Sequence, residues 1–252
     1  MMASATVWSA SRSETLSALD EIRKHRTLGY DSEFDGLDIS WQSTVRTANI
    51  HVFSIAVPGR AWVFPAAMLI EPEMKALLED PTYAKAIHNQ PVDAHAARNA
   101  GVKIRGGINT LDMARWVWPW RAKLVSGNFD LGSLAKWRLG KDKTEDFDAL
   151  LGYDAQEAYT VVQTRQRCSC GEVGCRKKKP PHDGLRTPVE VEMTHHRKVR
   201  RIIPLADLKP GHALWDRYLA YAASDATLAL ELYAALQEDA KKGRPYPWTP
   251  GM

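Results

Sequence analysis

The sequence predicts an α/β fold, in which amphipathic helices alternate with short apolar strands. Three observations predict it. Ser13 to Lys24 spaces Leu16, Leu19 and Ile22 three apart, as one helix face requires, and runs straight into a short strand-like segment, Leu28 to Glu33. Ile50 to Val57 and Ala61 to Phe64 flank Pro58-Gly59, the pattern of a β-hairpin. Near the end, His212 to Leu236 lines up Leu219, Ala222, Ala223, Ala226, Leu230 and Tyr233 along one side of a long helix.

The elements follow in chain order. After the first helix, the strand Leu28 to Glu33 carries Asp31 and Glu33 two residues apart, so both carboxylates point the same way. Beyond the hairpin, Pro72 to Glu79 reads as a short helix. Lys85 to His88 reads as a strand, and Val92 to Ala100 as a helix with Asp93 at its start. Thr110 to Val117 and Leu131 to Leu139 are further helices. In the last helix Tyr221 and Asp225 are four apart and project side by side. The tail from Lys241, with Gly243, Pro245, Pro247 and Pro250, reads as irregular. Trp116, Trp118 and Trp120 alternate across the end of the helix over Thr110 to Val117, a spacing that fits packing better than base stacking.

At 252 residues the chain is long enough to bury a sizeable core and sits near the upper size of a single domain. A composition 44% hydrophobic and 25% charged is that of an ordinary globular protein. The N-terminus lacks the continuous apolar run of a secretory signal, and Ala61 to Ile70 is too short to cross a bilayer. The expectation is a cytoplasmic protein with no membrane partner. Net charge is only +4, but its distribution is uneven. Between Gln163 and Arg201, eleven Lys and Arg stand against four Asp and Glu, so the remainder of the chain is net negative. Such a cluster is either a solvated loop or a footprint for a phosphate backbone.

Carboxylates are hard oxygen donors suited to Mg²⁺ or Mn²⁺. The chain sets them out as Asp31-Ser-Glu33, then His88-Asn89 with Asp93 following, then Tyr221-x-x-x-Asp225. In this order and in these local settings the motifs resemble the DEDD 3′–5′ exonucleases, DnaQ-like enzymes of the ribonuclease H-like fold, and Tyr221 resembles the mark of the tyrosine subtype. Asn109-Thr110-Leu111 and Ser133-Leu134-Ala135 are similar to segments between the second and third motifs, with Asn109 where the family often has Asp. The resemblance covers Ser13 to about Leu236, apart from an unusual segment near 154–208.

The resemblance implies a mixed β-sheet flanked by helices and one exonuclease domain over 1–252. Within that domain, 163–203 is a basic insert before the last helix. It implies two Mg²⁺ or Mn²⁺ ions: Asp31 bridging both, Glu33 and Asp225 completing the site of the attacking water, and Asp93 supporting the second ion. Tyr221 would orient the water, since a phenol of ordinary pKa is a poor base. The expected reaction is hydrolysis of phosphodiesters from the 3′ end, releasing 5′-mononucleotides.

All three cysteines, Cys168, Cys170 and Cys175, fall in Cys-Ser-Cys-Gly-Glu-Val-Gly-Cys, and His182 follows. Three thiols and a histidine make a donor set for structural zinc, with free thiols the alternative. The closing histidine is open: His182 is nearest, whereas His195 shares strand parity with Val189, Val191 and Met193, and His196 adjoins it.

Three readings of function result. The first is a proofreading exonuclease acting on single-stranded or frayed 3′ ends of DNA. Because 27 residues follow Asp225, its expected partner is a DNA polymerase acting in trans. The second is an RNA-trimming exonuclease, and the third an inactive nucleic-acid-binding scaffold.

Overall fold

A mixed sheet is built from β1 (Ala5–Trp8), β2 (Thr27–Asp35), β3 (Asn49–Val57), β4 (Arg60–Pro65), β5 (Ala84–Ile87) and β6 (Gly107–Asn109). Its order is β1-β4-β3-β2-β5-β6. The pairs β2/β3 and β3/β4 are antiparallel; β1/β4, β2/β5 and β5/β6 are parallel. The structure, a computed structural model, describes residues 5–35, 49–120, 129–143, 147–167 and 187–243. It divides into two units, Met1–Leu150 with Pro204–Met252, and Leu151–Ile203.

Helices of the first unit are α1 (Arg12–Ile22), α2 (Pro72–Glu79), α3 (Gln90–Asn99), α4 (Thr110–Val117), α5 (Leu131–Leu134), α6 (Phe147–Leu151), which ends at the unit boundary, and α7 (Trp215–Lys242). Their starts carry the expected chemistry. Ser11 and Glu14 form a capping box on α1, and Pro72 opens α2 at a position where its missing N–H is no loss. The Asn109 side chain accepts from the Leu111 N–H at 3.2 Å, so it caps α4 as an aspartate would.

Strand alternation gives the sheet two different faces. Leu28, Tyr30, Phe53, Ile55, Trp62 and Phe64 point to the side where α1, α2 and α3 close a large apolar core. The opposite side holds small residues, among them Gly29, Ser54 and Ala86, and α7 lies across it against β2, β3, β4 and β5. The helix matches that shallow surface with buried Ala222, Ala223, Ala226 and Ala229. A second core, with Leu228, Leu232 and Leu236 of α7, packs under α4 and α5.

Departures from the expected elements have local causes. Strands β1 and β6, of four and three residues, are too short to show a period. The helix expected over Leu131 to Leu139 is one α turn followed by a π segment, Ala135–Leu139, ending at Gly140 in the left-handed conformation (φ 66°). The last helix starts at Trp215 rather than His212 and runs through Lys242, past the predicted irregular tail at Lys241.

The second unit pairs two 16-residue antiparallel strands, β7 (Gly152–Arg167) and β8 (Thr187–Ile202). Register runs without a break from Gly152 opposite Ile202 to Arg167 opposite Thr187. The sequence shows only a strand-like stretch around Val189 to His195 here. Among the described residues, no helix is long and apolar enough to cross a membrane.

Candidate active site

Three carboxylates meet where β2 passes beneath α7. Asp31, Glu33 and Asp225 each offer an oxygen, and these atoms lie within 4.8 Å of one another. Two structural facts bring them together. Odd-numbered β2 residues Gly29, Asp31 and Glu33 all face α7. The helix is held down on both sides of Asp225: Ser54 Oγ donates to the Ala222 carbonyl at 2.8 Å, and the bare Gly29 lies against the Ala226 carbonyl.

Asp93 stands outside that trio, in the first turn of α3, and is buried. Ser32, the residue between the two β2 acids, donates its backbone N–H (3.0 Å) and its hydroxyl (2.6 Å) to Asp93 Oδ1. Both bonds go to one oxygen and leave Oδ2 uncommitted by them. Asn89, just before α3, adopts the left-handed conformation (φ 59°), rare outside glycine but tolerated by Asn, and so turns the chain from β5 into α3.

Tyr221 and Asp225 project from adjacent turns of α7, both buried. Lys143, from the segment after the π turn, reaches into this corner. Its Nζ lies 2.6 Å from Asp225 Oδ2, donates to Tyr221 Oη at 3.0 Å, and sits 4.5 Å from the phenol ring centre. Sequence reading missed Lys143, because a lysine in Gly-Lys-Asp-Lys looks like any solvated loop. It missed Ser32 as well, where the only signal was a polar side chain between the two acids.

The electrostatics are those of acids crowded out of water. Burial first, then the Asp93, Glu33 and Asp225 charges, drive the Asp31 carboxyl well above the usual carboxylate range. Burial and then Asp225 raise Glu33 to about 8. Burial raises Asp93 to about 7 against the opposing hydrogen bonds from Ser32. Asp225 is raised by burial too, with Lys143 pulling it back. The Tyr221 phenol is pushed up by burial and by Glu33, Asp225 and Asp31 in turn, so it keeps its proton.

Such a cluster fits divalent cations. The donors are all carboxylates, they converge, and Asp225 Oδ1 is buried with no hydrogen-bond partner. The Lys143 ammonium already supplies one positive charge there. Nearby, His88 is fixed between Thr110 Oγ1 and the Phe129 carbonyl, both at 3.0 Å. Burial lowers its pKa to about 4, so it is a neutral brace between the β5 end and the segment before α5.

Residues 6–165 match the sequence profile of the 3′–5′ exonuclease family. The chain belongs to that family. The matched stretch contains Asp31, Glu33 and Asp93 and stops before Tyr221 and Asp225, which the fold brings to the same place. No curated protein matches this exonuclease in sequence. Solved structures share its fold. The POL domain of Pol1 from M. smegmatis, in complex with DNA primer-template and dNTP, is 14% identical, with a TM-score of 0.53 over 94% of this chain and 28% of that one. Trypanosoma brucei RNase D is 17% identical (TM-score 0.58, 92% of this chain, 64% of that one). Brucella melitensis NrnC is 15% identical (TM-score 0.58, 96% and 83%) and is also solved with bound Mg²⁺. The exonuclease thus spans less than two thirds of the polymerase and RNase D chains. Its mixed α/β sheet is the fold that these solved structures share.

The remaining predicted residues are not all in view. Cys168, Cys170, Cys175 and His182 lie outside the described residues. His195 and His196 are on β8, opposite Tyr159 and Ala158 in register. Of the three tryptophans, Trp118 is buried and donates from Nε1 to Asp239 Oδ2 at 3.1 Å, a packing role, while Trp120 is exposed.

Proposed function

We propose that this exonuclease removes 5′-mononucleotides from the 3′ ends of DNA, as in proofreading during replication or repair, with a polymerase acting in trans as partner. The observation that carries the reading is the convergence of Asp31, Glu33 and Asp225, with Asp93 tethered beside them through Ser32. These four carboxylates would hold two Mg²⁺ or Mn²⁺ ions. Bound there, such ions activate water and stabilise the departing 3′-oxygen.

The residues of the chain do the positioning. Tyr221 remains a phenol, because a group whose pKa is raised by burial and three acids is no base at neutral pH. It therefore serves as a donor that orients the attacking water. Lys143 fixes the Tyr221 oxygen from one side and neutralises part of the Asp225 charge. Ser32 sets the Asp93 carboxylate and faces no reacting atom itself.

RNA trimming is the second reading, favoured by the fold shared with Trypanosoma brucei RNase D and with Brucella melitensis NrnC, which is solved bound to pGG. For 163–203 we keep the expected basic insert, with Cys168, Cys170, Cys175 and His182 holding a structural zinc. Metal content of protein purified under reducing conditions tests it, and zinc-free protein would remove it.

The deciding assay uses 5′-labelled single strands of DNA and RNA of matched sequence, with Mg²⁺, Mn²⁺ or EDTA. The expected result is a ladder shortening from the 3′ end of DNA, abolished by EDTA and by Asp31→Ala in a variant that still folds. Digestion of RNA alone would replace the DNA reading with the second one, and no digestion of either would leave a binding scaffold.

A further inference from the structure

The paired strands β7 and β8 form a two-stranded antiparallel ribbon. Sixteen residues at strand rise give each strand a length of roughly 50 Å. None of the described side chains from 152 to 202 is buried, and Val162 is 56% exposed. An isolated two-stranded ribbon is marginal in water, because pairing alone orders the backbone without burying apolar surface.

Charge distinguishes it instead. Leu151–Ile203 contains eleven Lys and Arg against six Asp and Glu, whereas the rest of the chain carries one more acid than base. Four of the basic residues crowd one short stretch of β8: Arg197, Lys198, Arg200 and Arg201. Their register partners on β7 are Glu157, Gln156, Asp154 and Tyr153. Two acids thus stand opposite four bases, and the ion pair of Arg201 Nη2 with Glu157 Oε1, at 3.4 Å, is exposed. The other two acids of the described ribbon, Glu190 and Glu192, are further along, opposite Thr164 and Val162.

We infer that the β7–β8 ribbon is a nucleic-acid-binding arm that grips the phosphodiester backbone of the substrate through Arg197, Lys198, Arg200 and Arg201. The physical need is plain. A polyanionic strand must approach a unit that is itself net acidic and has buried carboxylates at its reaction centre, so attraction has to come from elsewhere in the chain. Backbone contacts of this kind give affinity without sequence preference, and they act on DNA and RNA alike. The inference deepens the exonuclease reading by naming how the strand is held.

The test measures binding and turnover separately. Wild-type protein and a variant with Arg197, Lys198, Arg200 and Arg201 all changed to Gln are titrated with a fluorescent single strand of about 30 nucleotides in EDTA, over a range of salt. Each neutralised phosphate contact contributes about 0.7 to the logarithmic salt slope of a single strand, so the slope should fall by about 2 to 3 units. Affinity at low salt should fall at least about tenfold, on DNA and on RNA. Turnover of a dinucleotide with Mg²⁺, too short to span the arm, should be unchanged. A companion variant with the three arginines changed to Lys keeps the charge and should keep the salt slope. Unchanged affinity and slope in a folded Gln variant overturn the arm, as does equal loss in the Lys variant. Failure of the wild-type protein to cut the dinucleotide, with the salt slope still reduced by the Gln changes, counts against the exonuclease reading and not against the arm.

Discussion

Ser32 sits where a side chain normally does least, between two acids that carry the motif. Here it spends both of its donors on one oxygen of Asp93 and so couples the β2 pair to α3. Removing the hydroxyl leaves the backbone N–H bond but lets the carboxylate rotate. Groups that orient a metal-binding carboxylate typically contribute 10–100-fold to metal affinity or activity. Ser32→Ala is therefore expected to lose activity by roughly that factor, with a matching rise in the Mg²⁺ concentration needed for half-maximal rate. Ser32→Thr, which keeps the hydroxyl, should recover much of it. An Mg²⁺ requirement unchanged in Ser32→Ala would show that Asp93 needs no such tether.

At the level of elements, the meeting of β2 and α7 decides whether the acids converge. The helix can lie this low because Gly29 has no side chain: a Cβ there would collide with the carbonyl of Ala226, one residue from Asp225. Gly29→Ala must therefore lift or slide α7, a backbone shift of the sort that costs typically 1–3 kcal/mol in a packed interior. The expected outcome is lower thermal stability together with a fall in kcat larger than any change in KM, read from steady-state kinetics. Full activity would mean that α7 is not seated through this contact. The contrast between what the sequence displays and what it hides follows from the same geometry. Asp31, Glu33, Tyr221 and Asp225 are readable because strand and helix periods each put two chosen side chains on one face. Ser32 and Gly29 are legible only as filler until β2 is known to touch α3 on one side and α7 on the other. Lys143 is hidden for a different reason, since nothing in a loop's sequence says where its lysine will reach. Helices α1, α2, α3, α4 and α7 and the central hairpin were legible from their periods, whereas the five-residue α6 was not. The short edge strands β1 and β6 were not, and the length of the β7–β8 ribbon was obscured by its polar, charge-rich composition.

For the molecule as a whole, stability depends on a few buried ionisable groups, and His88 gives the clearest case. Nε2 faces the Phe129 carbonyl and so carries the proton, which leaves Nδ1 to accept from Thr110. Its pKa is lowered from 6.5 in the unfolded chain to about 4 in the fold. The sign follows: the unfolded state takes the proton first, so the contribution is present above pH 6.5 and is lost as pH falls through about 4. Wild-type protein is thus expected to lose more stability on acidification across this window than His88→Gln, measured as the difference between their denaturant midpoints in EDTA. Parallel curves for the two proteins would show that His88 does not titrate there.

The long final helix has a consequence for the birth of the protein. Asp31 and Glu33 are synthesised early, but Asp225 arrives 194 residues after Asp31, on α7, after both strands of the ribbon have been made. Until α7 leaves the ribosome and settles on β2, two of the three converging carboxylates have no third. Assembly of the trio is thus a late event in synthesis, set by the arrival of α7 rather than of β2.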